Sequence, residues 1–282
     1  MPGNKVPTLQ LPSGVSVPRL GLGTWRMGES DRLRDQEIEA LKLGIDLGMT
    51  LIDTAEMYGG GGAEEAVAAA VKGRRHQVFI VSKVLPQNSS RIGTIAACER
   101  SLKKLNTDHL DLYLLHWRGA YPLRETLLGF QTLHADGLIK AWGVSNFDVA
   151  DMEELFGLPG GDQAATDQVL YNLARRGIEA DLLPWCRTRG VPIMAYSPVD
   201  QGRILRNRTL ARVAARHGAS PAQIALAWLL RQKDMLVIPK ATNVDHVREN
   251  RAALDLPLTK ADLAELDVAF PAPHGSRSLE IL

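Results

Sequence analysis

The chain has 282 residues, of which 45% are hydrophobic and 23% charged. That length holds two small domains or one large one, and a single α/β barrel runs to ~250 residues, so no disulfide or structural metal is needed to complete the core. Lys plus Arg number 33 against 32 Asp plus Glu, a formal net charge of +1, which argues against general attraction to nucleic acid or an anionic membrane. The only cysteines are Cys98 and Cys186, which excludes a disulfide scaffold and any multi-cysteine zinc or iron–sulfur site; no metal is expected. Residues 1–10 hold one Lys and no apolar run of the signal-peptide kind. No stretch nears the ~18 uninterrupted apolar residues of a membrane span. The expectation is a soluble, cytoplasmic protein with neither nucleic acid nor membrane as partner, forming one domain over residues 1–282.

In chain order, Ser13-Gly14 marks a turn, so residues 8–20 are expected to form a hairpin. Eight short apolar or β-branched runs follow, at residues 20–23, 50–53, 78–83, 110–116, 139–144, around Val169, 191–196 and 236–239. Amphipathic stretches separate them. Residues 31–47 place Ile38, Leu41, Ile45 and Leu47 near one face, and residues 91–105 repeat the pattern with Ile92, Ile95, Leu102 and Leu105. Ser220-Pro221 opens a third, as an N-cap followed by proline at the first helical position. Strands alternating with helices imply a parallel sheet. Eight such units without a composition break favour a closed barrel over an open sheet, and Gly21-Leu22-Gly23-Thr24-Trp25-Arg26 lacks the third glycine of the G-x-G-x-x-G fingerprint. The hairpin then covers the barrel end opposite the active site.

In such barrels the active site forms at the C-terminal strand ends. The polar residues there are Asp53, Lys83, His116, Ser145 with Asn146, Gln168, Tyr196 with Ser197, and Lys240. Singly, each has a bland explanation. Asp53 can cap a turn, Lys83 can form a structural ion pair, and His116 can be a hydrogen-bonded core histidine. Together with Tyr58 they form a chemical unit. A tyrosine has an ordinary pKa of ~10, too high for efficient proton transfer near neutrality. A nearby Lys favours the phenolate, a carboxylate holds the Lys, and a His orients a carbonyl. Such a set can protonate a carbonyl oxygen as a hydride reaches its carbon.

The run Leu51-Ile52-Asp53-Thr54-Ala55-Glu56-Met57-Tyr58-Gly59, the Ser82-Lys83 strand end and Asp111-Leu112-Tyr113-Leu114-Leu115-His116-Trp117 resemble the aldo-keto reductase motifs. So do Gly143-Val144-Ser145-Asn146-Phe147, residues 168–172, Ala195-Tyr196-Ser197-Pro198 and Ile238-Pro239-Lys240, in the family order, over residues 21–250. Within the family the chain resembles bacterial reductases of methylglyoxal and similar small aldehydes. The resemblance implies a (β/α)8 TIM barrel with an extra C-terminal helix, NADPH-dependent reduction of small aldehydes and ketones, and a monomer. It implies Tyr58 as general acid, Lys83 as its partner, Asp53 as the partner of Lys83, and His116 as the carbonyl-orienting group. Ser145, Asn146 and Gln168 match positions that bind the nicotinamide carboxamide, and Tyr196, followed by Ser197, matches the aromatic stacked on the ring. Gly23 and Thr24 match the cofactor's approach, and Trp25 and Trp117 match walls of the substrate pocket.

Residues 240–250 match the adenosine-phosphate site, with Lys240, Thr242, His246, Glu249 and Asn250 as its polar groups. Many relatives carry Ser at the position of Ala241 and Arg at that of His246. The first change loses a hydroxyl contact, and the second loses a permanent planar cation. Binding of NADPH with weaker use of NADH is the expectation. Leu85 replaces an aromatic found in several relatives, and the tail after Phe270 and the loop at 199–207 are short, so an open pocket is expected. Two other readings use the same fold. Lys83 could be the nucleophile of a Schiff-base aldolase, or the chain could be a cofactor-binding regulatory or interaction subunit.

Overall fold

The computed structural model describes residues 5–282. The first turn of chain is the expected hairpin: β1 (Thr8–Gln10) pairs antiparallel with β2 (Ser16–Pro18), and Gly14 turns between them at φ +80°. Eight parallel strands follow: β3 (Gly21–Gly23), β4 (Leu51–Asp53), β5 (Phe79–Val84), β6 (Leu112–Leu115), β7 (Trp142–Ser145), β8 (Asp167–Leu170), β9 (Ile193–Tyr196) and β10 (Met235–Val237). They lie side by side in sequence order. Parallel bridges Leu20 to Val237 and Gly23 to Lys240 join the last strand to the first, so the sheet closes. At this seam the Gly23 N–H donates to the Pro239 carbonyl at 2.9 Å, and a Cβ on Gly23 would lie 2.7 Å from the Ile238 carbonyl oxygen. Only glycine permits that approach. The buried guanidinium of Arg19 secures the seam from below by donating to the carbonyls of Leu230, Gln232 and Met235.

Successive side chains of a strand face opposite ways. In β5, Phe79 and Val81 point into the barrel with Leu51, Leu112, Leu114, Met194 and Leu236, whereas Ile80 and Val84 join the layer between strands and helices. Leu11 and Val17 of the hairpin belong to the inner cluster and plug its N-terminal end. The same alternation aims Asp53 and Lys83 inward at the other end.

Helices α1 (Asp31–Asp46), α2 (Gly62–Ala70), α3 (Arg91–Leu105), α4 (Leu123–Ala135), α5 (Val149–Phe156), α6 (Leu182–Thr188), α7 (Arg208–Arg216), α8 (Pro221–Leu230), α9 (Val244–Ala252) and α10 (Lys260–Ala269) surround the sheet. The Ser220 hydroxyl caps α8, and the Gln223 side chain returns a bond to the Ser220 N–H. The extra C-terminal helix is α10, packed on α7.

Three readings are corrected. Ile92 is 80% exposed, because six residues before Cys98, at ~100° per residue, it lies roughly 120° round α3 from the buried side. Leu102 and Leu105 are buried as expected, but the N-terminal half of that side is made of Thr94, Ala97, Cys98 and Ser101, too small or polar to register as an apolar stripe. The fifth strand starts at Trp142, and Ile139 makes only an isolated bridge to Leu110. Finally, the tail is short yet reaches the barrel mouth. Glu280 pairs with Arg175 at 2.6 Å, Leu279 packs on the core, Ser276 bonds Asp181, and the Leu282 backbone bonds the Tyr196 hydroxyl. The 199–207 loop is a 3-10 segment, Asp200–Arg206.

Candidate active site

Asp53 ends β4, Lys83 stands near the end of β5, and His116 follows β6 directly, so three adjacent strands deliver their side chains to one point. Tyr58 reaches the same point from the turn after β4. Lys83 is fully buried, and its Nζ lies 2.8 Å from Asp53 Oδ1, 2.8 Å from the Thr54 carbonyl oxygen and 3.2 Å from the Tyr58 hydroxyl. An ammonium has three protons, and each has an acceptor here. The His116 ring packs edge-on against Tyr58 at 5.8 Å between centroids, and its Nδ1 has no hydrogen-bond partner.

Burial sets the protonation states. It holds the Tyr58 phenol well above its ordinary pKa, and the Asp53 charge pushes the same way. The expectation of a lowered phenol pKa is therefore corrected: desolvation of the buried hydroxyl outweighs the nearby Lys83 ammonium, and the Asp53 charge adds to the upward shift. Burial pulls Lys83 down, while Asp53 opposes that shift. His116 is pulled down to about 2 by burial, then by the Lys83 charge. Near neutrality the site thus presents a protonated phenol and a neutral imidazole.

A second ring of polar groups adjoins the first. Gln168 Nε2 donates to Asp53 Oδ1 at 2.7 Å, and the Ser145 hydroxyl donates to the Gln168 carbonyl at 2.7 Å. Asn146, held at φ +59°, donates to the His116 carbonyl at 3.0 Å and accepts from the Tyr196 hydroxyl at 2.9 Å. Thr24 bonds the Asp53 carbonyl at 2.9 Å beside Gly23. Ser197 accepts from Asn172 at 2.9 Å through its carbonyl.

Trp25 is exposed and Trp117 half-buried at the rim, where Trp117 packs on His116 at 4.7 Å between centroids. The polar groups of 240–250 form a separate set around the start of α9. Lys240 bonds the Thr242 hydroxyl at 2.5 Å, His246 is exposed, Glu249 accepts from Ser220 at 3.3 Å, and Asn250 is buried. Sequence reasoning missed Arg26, whose charge acts on Lys240 and whose guanidinium lies 4.5 Å over the Trp25 ring. Its place directly after Gly23-Thr24-Trp25 was the available signal.

The aldo/keto reductase family model matches residues 19–269. Methylglyoxal reductase YeaE of Escherichia coli is 51% identical, covering 97% of this chain and 98% of its own. The glyoxal reductase of Bacillus subtilis is 34% identical over 95% and 94%. An aldo-keto reductase from Klebsiella pneumoniae, solved in complex with NADPH, superposes with a TM-score of 0.95 at 47% identity over 98% and 99% of the chains. The chain belongs to the aldo/keto reductase family.

Proposed function

We propose that the protein reduces small aldehydes and ketones of the methylglyoxal type to alcohols, with NADPH as reductant and Tyr58 as general acid. The observation that carries this reading is the buried Asp53–Lys83–Tyr58 chain, 2.8 and 3.2 Å per link, with neutral His116 against the phenol. The reductase activities of the E. coli and B. subtilis relatives and the NADPH of the Klebsiella one support it.

The residues fit the dinucleotide. His116 Nδ1 is buried without a hydrogen-bond partner, and a glycine at position 23 leaves the strand end without a side chain. Gln168, Ser145 and Asn146 would hold the carboxamide, and Tyr196 would stack on the ring. Lys240, Thr242 and His246 would meet the 2′-phosphate, with Arg26 adding charge. When bound, NADPH supplies the hydride. Tyr58 gives its proton to the carbonyl oxygen as that hydride arrives at the carbon, so an alcohol forms and the proton count closes. Lys83 then donates to the phenolate oxygen left behind, and Asp53 keeps Lys83 charged and in place. His116 positions the carbonyl oxygen through a ring N–H. Trp25 and Trp117 line the rim and limit water.

The aldolase reading fails on Lys83, since an amine whose three protons all have acceptors presents no lone pair to a carbonyl. NADH should bind more weakly than NADPH, by a modest margin, because Ala241 brings no hydroxyl and His246 no fixed charge. The test is NADPH oxidation against about a dozen aldehydes, ketones and sugars. Turnover fastest with small aldehydes is expected. Tight NADPH binding without turnover of any carbonyl would mean a cofactor-binding subunit instead.

A further inference from the structure

Tyr58 stands on an unusual support. Gly59, Gly60, Gly61 and Gly62 follow it, the first three at φ +56°, +62° and +99°. Glycine loses more conformational freedom on ordering than any other residue, so four in a row make this turn costly to hold still. One side of the turn rests on backbone: a Cβ on Gly59 would lie 2.6 Å from the Met27 carbonyl oxygen.

The other side is gripped by α3. Lys104 Nζ donates to the Gly60 carbonyl at 2.8 Å, and Arg100 lies 3.4 Å from Glu56 Oε2. These two α3 residues are four apart, hence on one face. Glu56, only 12% exposed, also accepts from the Leu85 N–H at 2.7 Å and from Asn88 Nδ2 at 3.0 Å. It ties the Tyr58 turn to the segment that follows Lys83. Beneath the turn, buried Glu64 at the start of α2 accepts from the Ser82 hydroxyl at 2.7 Å, next to Lys83 in sequence.

We propose that Glu56 and Lys104 are positioning residues that clamp the glycine turn and thereby fix the Tyr58 hydroxyl against Lys83 and the carbonyl oxygen. The proposal rests on the reductase reading above. Neither side chain touches the reacting atoms. Their effect is geometric: a displacement of ~1 Å in a reacting group can cost ~10²-fold in rate.

The experiment compares Glu56→Ala, Glu56→Gln and Lys104→Met with wild type. Hydrogen–deuterium exchange of the amides at 57–62 is read without cofactor, and NADPH binding, kcat, KM and the isotope effect from deuterated NADPH are read with it. Glu56→Ala and Lys104→Met should speed exchange in that segment and lower kcat by about tenfold or more. KM and NADPH affinity should stay within about twofold, and the isotope effect should rise as chemistry becomes limiting. Glu56→Gln keeps the acceptor for Leu85 and should recover most of the rate. Unchanged exchange and kcat in both truncated variants would overturn the clamp. So would a Glu56→Gln loss equal to that of Glu56→Ala. Should Glu56→Ala not fold, half-buried Lys104 decides the matter alone. Absence of turnover in wild type would instead refute the reductase reading, and the exchange data would still judge the clamp.

Discussion

At the scale of single residues, the site works by withholding charge changes from the neutral range. A phenol held above its ordinary pKa stays protonated until the pH is alkaline, and a histidine near 2 stays neutral throughout. In the proposed reduction the protonated phenol is the proton donor. The rate should therefore be level from pH 5 to 8 at saturating cofactor and fall only in the alkaline limb; a titration near pH 6.5 would assign the proton to a histidine with an ordinary pKa instead. At the phosphate end, His246→Arg should tighten NADPH binding more than NADH binding, because a guanidinium is always charged and bonds two phosphate oxygens. Fluorescence titration with both cofactors checks this, and equal effects on the two would move the phosphate elsewhere. Asp53, Lys83 and His116 stood out in the sequence because each ends or follows an apolar strand, and Tyr58, five residues after Asp53, because it completes their chemical set. The direction of the Tyr58 shift was not legible, since it depends first on how deeply packing buries the phenol and then on the Asp53 charge beside it.

At the scale of elements, local signals proved reliable where the chemistry itself is local. Ser220-Pro221 announces α8, and the reciprocal Ser220–Gln223 bonds bear it out. Ser220→Ala should cost ~1 kcal/mol in chemical denaturation; no loss would mean water replaces the cap. Apolar periodicity located α1 and α3 and the buried Leu102 and Leu105, yet it misplaced Ile92, because the first half of α3 meets its neighbours through small and polar residues. Gly129 of α4 shows how close that contact is: a Cβ there would lie 2.8 Å from the Thr94 Cβ. The tail carried no periodic signal at all. Its course depends on long-range contacts, among them Glu280 with Arg175, Ser276 with Asp181 and Leu279 with the core, which no local pattern encodes.

At the scale of the molecule, closure of the barrel brings the ends of adjacent strands together, and the alternation that fills the interior with Leu and Val also aims Asp53 and Lys83. One outward group stands apart. Asp167 of β8 is fully buried, no side chain bonds its carboxyl, and burial pushes its pKa well above the ordinary carboxylate value, with the Phe147 backbone opposing the shift. A carboxyl whose folded pKa is raised favours the fold below its unfolded pKa of ~3.9, and that support is lost as pH climbs through the folded value. Asp167→Asn should thus raise stability relative to wild type at pH 8, with the difference shrinking toward pH 4; a constant difference would show that the carboxyl does not titrate with folding. The central claim is narrower, that Tyr58 delivers the proton in an NADPH-dependent reduction. It is tested most directly by steady-state NADPH oxidation with methylglyoxal, wild type against Tyr58→Phe. The account predicts a loss exceeding ~10²-fold in kcat with NADPH affinity retained. A Tyr58→Phe rate within a few-fold of wild type would contradict it.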